Sequence, residues 1–165
     1  MSELVKNIFE KLSSYQLFNF FYPGAIFILL IKYHGLDIMS EMSTGIFLLS
    51  SHFMGLTLSR IGSLIIEDSM IYSHFIEEFD YKEYANAEKK DSKIQLLLEI
   101  ANTYRTLSAT FLVLTILILA FHFFPISCMS PRCCLGLLYF LLFLLFAIAF
   151  KKQYKYLIKR IEANQ

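Results

Sequence analysis

The chain has 165 residues, of which 56% are hydrophobic and only 18% are charged, and its mean hydropathy is +0.54. In soluble domains about a quarter of all residues are charged, so this composition excludes an ordinary soluble domain. The formal net charge of +1 hides an uneven distribution of cations along the chain. Long runs of Leu, Ile and Phe would aggregate in water, and they predict an all-α integral membrane protein.

Residues 1–14 predict an amphipathic helix, with Ser2 as its N-cap. The apolar residues of this segment share one helical face, and Lys6, Glu10 and Lys11 lie on the other. The apolar face comprises Leu4, Val5, Ile8, Phe9 and Leu12. Such a helix lies either in the membrane interface or on the cytoplasmic part of the protein. A cleaved secretory signal is not expected, because no small-residue cleavage site follows.

Four apolar stretches approach the roughly 20 residues that cross about 30 Å of hydrocarbon. They are residues 15–33, 45–66, 106–124 and 133–150. The sequence therefore predicts four transmembrane helices, in a first pair over residues 15–67 and a second pair over residues 105–150.

The first stretch contains Pro23 and Gly24. Proline lacks a backbone donor and clashes with the preceding turn, so the carbonyl of Asn19 is freed and a kink or break is predicted. Broken helices are tolerated in a bilayer only where protein or water satisfies the freed groups. The hinge at Pro23 and Gly24 is either part of a gate or a kink packed against neighbouring helices.

The second stretch carries small residues every four positions, at Ser51, Gly55, Ser59 and Ser63. Such a stripe lets two helix backbones approach closely, so it predicts helix packing. The partner helix belongs either to the same chain or to another copy.

Arg60 and Glu67 lie two turns apart on one face of the same helix, with Arg60 about 10 Å deeper. An ionisable residue within a span is a functional-site hypothesis, because it needs a partner or a wet cavity. One interpretation assigns the pair to a pore or ligand site. The other has Arg60 reach the headgroups with its long side chain, or form a structural ion pair.

Residues 68–104 form the largest polar segment, acidic and aromatic at first. A turn at 89–93 follows, where Asp91 or Ser92 caps a helix that runs on into the third apolar stretch. The fourth helix continues past Phe150 as an amphipathic tail over residues 151–165. Together these parts predict a helical cytoplasmic collar. Its cations attract either anionic lipid or a nucleotide or oligonucleotide ligand, with Lys89, Lys90, Lys93 and Arg105 as the first candidates.

The orientation follows from the Lys and Arg residues, which are retained on the cytoplasmic side. With the N-terminus inside, only Lys32 and Arg132 lie outside. The other 13 lie inside: Lys6, Lys11, Arg60, Lys82, Lys89, Lys90, Lys93, Arg105, Lys151, Lys152, Lys155, Lys159 and Arg160. Both termini are therefore predicted to be cytoplasmic. The cysteines near the outer loop, Cys128, Cys133 and Cys134, either form one disulfide in an oxidising periplasm or are inert packing.

The sequence contains no phosphate-binding loop, paired-cysteine motif or nucleophile elbow. The four histidines, His34, His52, His74 and His122, are scattered along the chain and predict no metal site. We therefore expect no cofactor and no enzymatic activity. A membrane enzyme acting on lipid would need a polar cluster near the headgroups, and only Arg60, Glu67 and Asp68 approach one.

Three short patterns carry a resemblance. They are Tyr15-x-x-Phe-Asn-x-x-x-Pro-Gly24, Leu58-Ser-Arg-Ile-Gly-Ser63 with Glu67, and Asn102-Thr-Tyr-Arg105 before a Leu-rich stretch. With these the chain resembles a recurrent family of small bacterial membrane proteins. In general build it is similar to the small multi-pass subunits of antiphage operons, such as those of Kiwa, Hailong and the type VI-B CRISPR accessory proteins. The resemblance covers architecture along most of the chain and assigns no functional residue.

The resemblance implies an oligomeric protein of the bacterial inner membrane that responds to infection in one of two ways. In the first hypothesis, a homo-oligomer surrounds a gated pore with a hydrophobic constriction and disrupts the membrane. In the second, a membrane scaffold or sensor recruits a cytosolic effector through residues 68–104 and 151–165 without conducting ions.

Overall fold

The computed structural model describes residues 14–34, 43–123 and 131–164. The predicted N-terminal amphipathic helix lies outside these residues, apart from Ser14, and so do Cys128 and the side chains of Cys133 and Cys134. Within the described ranges the chain forms helices joined by short turns and contains no strand, which confirms the all-α prediction. Two helices, over Lys93–Ala120 and Leu135–Glu162, are long and apolar enough to cross a membrane.

The first helical rod contains a stretch of π-helix just before its proline. It consists of α1 (Ser14–Gln16), a π-helical stretch (Leu17–Phe21) and α2 (Tyr22–Tyr33). The backbone stays right-handed helical through Phe21 and Tyr22, and the Tyr22 N–H bonds to the Leu17 carbonyl one residue further back than in an α-helix. The wider turn accommodates the proline without a break. Pro23 and Gly24 are both buried.

The second rod also changes to a π-helix near its end. It begins at α3 (Thr44–Ile61), where Ser43 Oγ accepts a hydrogen bond from the Ile46 N–H. A π-helical stretch (Gly62–Glu67) and α4 (Asp68–Tyr72) follow. The turn after α4 contains His74, whose φ of 55° lets the Phe75 N–H reach the Met70 carbonyl at 2.9 Å. This is the usual left-handed helix ending, with a histidine where glycine is common.

Two aspartates start the next helices. Asp80 Oδ1 accepts from the Lys82 N–H at 2.9 Å and caps α5 (Tyr81–Lys90), and Asp91 Oδ1 accepts from the Lys93 N–H at 3.0 Å and caps α6 (Lys93–Phe123). Side-chain acceptors satisfy N–H groups that a helix start leaves without partners. The last two helices, α6 and α7 (Pro131–Glu162), each run without interruption from the collar into an apolar stretch.

α6 and α7 pack antiparallel along their length and carry three apolar clusters. The cluster at the collar end, called the lower cluster, joins α7 to α5 and the start of α6. In it Leu157 and Ile161 pack against Ala87 and Ile94. The middle cluster consists of Ile66, Ile76, Ala101, Ala109, Phe150 and Tyr154. The cluster furthest from the collar, called the upper cluster, consists of Phe27, Leu58, Phe111, Leu114, Ile118 and Tyr139. The upper and middle clusters unite the helical bundle, while the lower one holds the collar, which comprises residues 68–104 and 151–164.

An ion pair fastens the collar at the start of α6. Arg160 Nε donates to Asp91 Oδ2 at 2.5 Å, and this bond, with that from the Lys93 backbone, holds the pKa of Asp91 below its usual value. A carboxyl group whose pKa is lower in the folded than in the unfolded protein stabilises the fold at pH values above its unfolded pKa of about 3.9. This contribution is lost as the pH falls through the folded pKa.

We therefore expect Asp91→Asn, which keeps a capping side chain, to lower the thermal stability of the collar by more at pH 7 than at pH 2. The measurement is thermal unfolding of both proteins across this range. Asp80→Asn serves as control, because Asp80 caps α5 in the same way. A stability difference that is the same at both pH values would contradict the expected role of the ion pair.

Candidate functional site

Four polar side chains from the first rod and α6 meet inside the bundle. Asn19 Nδ2 and Asn102 Nδ2 donate to the Tyr15 hydroxyl at 3.0 and 3.3 Å. The Thr106 hydroxyl lies 2.9 Å from Asn19 Oδ1, to which it donates, and at the same distance from its alternative acceptor, the Asn102 carbonyl. Asn19 and Thr106 are fully buried. Buried polar groups of this kind fix the relative position of two helices, because each loses its partner if either helix moves.

An ion pair lies beside this network and joins the second rod to α6. Arg105 Nη1 donates to Glu67 Oε2, and the Ser63 hydroxyl donates to the same oxygen at 3.3 Å. The two side chains are 12% and 19% exposed, so both charges are largely withdrawn from water. Arg105 Nε is buried and has no hydrogen-bond partner among the described residues. Such a pair is costly to desolvate, and removing one partner leaves an uncompensated charge.

Glycine brings the two helix backbones together at this ion pair. A Cβ added at Gly62 would lie 3.1 Å from the Arg105 carbonyl oxygen, closer than such contacts normally come. The close approach allows Glu67, one turn further along, to reach the side chain of Arg105. We call the set formed by Tyr15, Asn19, Glu67, Asn102, Arg105 and Thr106 the polar junction.

Each π-helical stretch contributes one residue to the polar junction. Asn19 belongs to the first stretch and Glu67 to the second. A π-helix widens the turn and re-aims the side chains that follow, and such stretches occur frequently at functional sites. The sequence spaces these polar residues one helical turn apart within apolar surroundings, at 15 and 19 and at 102 and 106. The coincidence of both irregular stretches with the buried polar residues makes this junction the candidate functional site.

Thr106→Val is expected to destabilise the protein by about 1–3 kcal/mol, because it removes the hydroxyl donor and leaves Asn19 Oδ1 buried without it. Valine keeps the shape of threonine, so packing changes little. The measurement is thermal unfolding in detergent. Thr57→Val is the matched control, since the exposed Thr57 hydroxyl donates to the Phe53 carbonyl of its own helix. Equal losses in the two variants would show that the junction contributes nothing through this bond.

Two of the residues predicted for helix packing, Ser51 and Gly55, lie between the first and second rods of the same chain. Ser51, Gly55 and Ser59 are buried. A Cβ at Gly55 would overlap the Phe20 carbonyl, and a Cβ at Gly24 would overlap the Ser51 carbonyl. Ser63, the last residue of the stripe, is half-buried and bonds to Glu67. The stripe thus contacts a helix of its own chain.

The charged residues predicted for a pore, ligand or lipid site lie apart from one another. Arg60 is exposed, Asp68 is exposed, and Glu67 pairs with Arg105 on another helix. Lys89, Lys90 and Lys93 surround the turn before α6, whereas Arg105 lies 12 residues further along that helix, about 18 Å away by helical rise. Arg60, Glu67 and Asp68 therefore do not form one cluster, and neither do the three lysines with Arg105.

The histidines that the structure describes also lie apart. The His34 ring shares a hydrogen bond of 2.8 Å with the Tyr139 hydroxyl and ties the end of α2 to α7. His52 meets the Phe20 ring edge-on, and His74 lies in the turn after α4. The His122 side chain lies outside the described residues. Within the described ranges no three His, Cys, Asp or Glu side chains come together as metal ligands.

The polar junction combines an ion pair with a buried network of hydrogen bonds, an arrangement that holds helices in register. No family model, characterised protein or solved structure matches this chain. The resemblance to subunits of antiphage operons stays a prediction, and function is inferred from the geometry of the junction and the surfaces around it.

Proposed function

We propose that the protein is a four-span membrane scaffold or sensor that engages a soluble partner through its collar. The observation that carries the proposal is the polar junction, because it bonds the collar helix α6 to both rods of the bundle. A displacement of the collar would move Asn102, Arg105 and Thr106, and with them the helices that carry Asn19 and Glu67. The proposal is argued below from the bundle, its surface and its interior.

The lengths of four helical segments above the junction support four spans. Tyr15 to His34, Thr44 to Glu67, Arg105 to Phe123 and Pro131 to Lys151 measure about 28, 35, 27 and 30 Å by helical rise. The hydrocarbon core of a bilayer is about 30 Å thick. The first two segments contain the π-helical stretches and more polar residues, and only the last two belong to helices that are apolar enough to cross a membrane by composition.

The surface of these segments is apolar where a soluble protein would be polar. Only 22% of the apolar window of α7 is buried, while a core helix of a soluble protein is mostly buried. The exposed large side chains include Leu29, Leu49, Phe53, Leu64, Ile116, Leu137, Leu141, Leu145 and Ile148. Large apolar side chains exposed on all four segments fit contact with lipid.

The charge distribution supports an orientation with the collar in the cytoplasm. The segments leave the apolar zone at the polar junction, and α7 does so at Lys151, whose ammonium lies 4.2 Å from the centroid of the Phe75 ring. The tail of α7 carries further cations, Lys152, Lys155, Lys159 and Arg160. Cations next to spans are retained on the cytoplasmic side. Epitope tags on either terminus should therefore be inaccessible from outside intact cells, and an accessible tag would contradict this orientation.

The interior of the bundle is closed by bonds within one chain. The buried hydroxyls of Thr110 and Thr115 donate to carbonyls one turn back on α6, and Ser108 donates to the Phe143 carbonyl of α7. Ser51 and Gly55 of the small-residue stripe pack against the first rod of the same chain, and Pro23 is buried. These contacts support a dry bundle, so conduction would require a path between copies.

The collar offers the surface for a partner. Tyr72, Phe75, Tyr81 and Tyr156 are exposed aromatic residues, and acidic and basic side chains surround them. Exposed aromatic residues are enriched in protein interfaces, where they supply large contact area with a polar tip. Tyr81 starts α5 on the collar side of the polar junction, two residues after Phe79, which packs against the middle cluster.

The proposal is tested by purification of the tagged protein from its native host under mild detergent. We expect a soluble partner in stoichiometric amount, lost with Tyr81→Ser and retained with Tyr33→Ser. The two tyrosines are matched, since both are 77% exposed, while Tyr33 ends α2 and Tyr81 starts the collar helix α5. Loss in both variants or in neither would overturn the role of the collar.

The homo-oligomeric pore remains the alternative. It is tested by conductance of the purified protein in planar bilayers and by membrane depolarisation on overexpression. Channel activity of the protein alone would favour the pore, while a stoichiometric partner together with silent bilayers would favour the scaffold. The same assays, repeated with the stimulus added, test the predicted trigger, which is infection. They also test the predicted nucleotide or oligonucleotide ligand.

A further inference from the structure

A pocket of about 250 Å³ lies in the collar, between the turn that follows α4 and the tail of α7. The turn contributes His74 and Glu77 to its lining, and α7 contributes Lys155, Lys159 and Glu162. All five side chains belong to exposed residues, so they are accessible to a ligand from outside the chain. Acidic and basic groups from two separate segments therefore line one pocket.

The acidic and basic groups of the pocket do not neutralise one another. The ion pairs within the described ranges are Arg105 with Glu67 and Arg160 with Asp91, and neither involves a residue of the pocket. Charged groups make stronger hydrogen bonds than neutral ones, and here both the ammonium donors and the carboxylate acceptors are left for a ligand. This arrangement favours a small ligand that carries an anion and a cation close together.

The pocket begins where α7 leaves its apolar stretch. The ammonium of Lys151 lies 4.2 Å from the centroid of the Phe75 ring, and Phe75 also lines the pocket. Lys155 and Lys159 follow on the same face of α7, about 6 and 12 Å further along by helical rise. The interfacial region of each leaflet extends about 5–7 Å beyond the hydrocarbon core. Helical side chains tilt toward the helix N-terminus, which for α7 is the side of the span, so both lysines can reach the lipid headgroups.

We propose that this pocket binds the phosphoethanolamine headgroup of a phospholipid at the collar side of the bilayer. Lys155 and Lys159 donate to the phosphate oxygens, while Glu77 and Glu162 accept hydrogen bonds from the primary ammonium. A phosphoglycerol headgroup has no ammonium for the carboxylates, and the quaternary amine of phosphocholine has no N–H to donate. The inference relies on α7 as a span, as in the proposed function, and needs no soluble partner.

The headgroup preference is measured on the full-length protein in non-ionic detergent, by native mass spectrometry during titration with dioleoyl phospholipids. We expect phosphatidylethanolamine to bind about fivefold more tightly than phosphatidylglycerol or phosphatidylcholine, as for one additional charge-assisted hydrogen bond at a partly exposed site. Equal binding of the three lipids would overturn the proposal. Glycerophosphoethanolamine at the same concentration should not displace the lipid, and displacement would show that the ligand is a soluble molecule and not a lipid.

Neighbouring residues supply matched controls for the pocket. Lys155→Gln should weaken the binding of phosphatidylethanolamine about fivefold, whereas Lys152→Gln should leave it unchanged, because Lys152 is exposed on the same tail but does not line the pocket. Glu77→Gln should reduce this binding to the level of phosphatidylcholine, and Glu78→Gln, which alters an exposed carboxylate outside the pocket, should not. Equal effects within either pair would mean that no specific site exists, and would overturn the proposal.

Discussion

Gly55→Ala is expected to destabilise the protein by roughly 3 kcal/mol and to separate the first two helical rods. The added methyl group would overlap the Phe20 carbonyl and other backbone atoms of the first rod, which cannot rotate away as a side chain can. The helices must therefore move apart, and the contact around Ser51 and Gly24 is lost with them. The measurement is thermal unfolding in detergent, with yield of monodisperse protein as a second readout.

Gly45→Ala provides the matched control for this prediction. Gly45 belongs to the same helix, α3, but a methyl group there meets no atom within 4 Å. Alanine is the better helix former, so Gly45→Ala should cause no loss of stability. Unchanged stability of Gly55→Ala would mean that the two rods do not approach as closely as the structure has them.

Arg105→Ala is expected to lower stability by about 3–5 kcal/mol, because it leaves Glu67 largely buried without its counter-charge. Removal of the carboxylate in Glu67→Ala should have a similar effect, since the guanidinium, with Nε already unpaired among the described residues, then loses its acceptor. In the scaffold proposal both variants also uncouple the collar from the bundle. Partner binding through Tyr81 should then persist while any response of the bundle is lost.

The double variant Glu67→Gln with Arg105→Gln separates the ion pair from simple packing. Both charges are absent, so the loss of stability should be clearly smaller than that of Arg105→Ala. Arg60→Ala is the control, because the Arg60 side chain is exposed and its removal should change stability by no more than about 0.5 kcal/mol. If Arg60→Ala proved as damaging as Arg105→Ala, the assignment of Arg105 as the partner of Glu67 would fail.

The helices themselves follow from local patterns in the sequence. The apolar period, the aspartate before α6 and the amphipathic tail predict helices that continue from the apolar stretches into the collar, and α6 and α7 do so. Apolar spacing and N-cap chemistry act over one or two turns, so they can be recognised without knowing what packs against the helix. The sequence did not predict the backbone hydrogen bonds before Pro23. A kink or break was expected there, and the structure has a π-helical stretch.

The pairing of the helices was decided by the tertiary structure. The sequence places Arg60 and Glu67 on one face, but the partner of Glu67 is Arg105, 38 residues away, because the second π-helical stretch and Gly62 bring Glu67 to α6. The stripe of small residues indicates close packing, yet only the fold identifies the first rod as its partner. Both outcomes depend on the relative rotation and axial shift of two helices, which a periodic pattern leaves free. The sequence alone determined helices, their apolar faces and the bias of positive charge, since each of these is local. The polar junction exists only when three separate segments are held in one register.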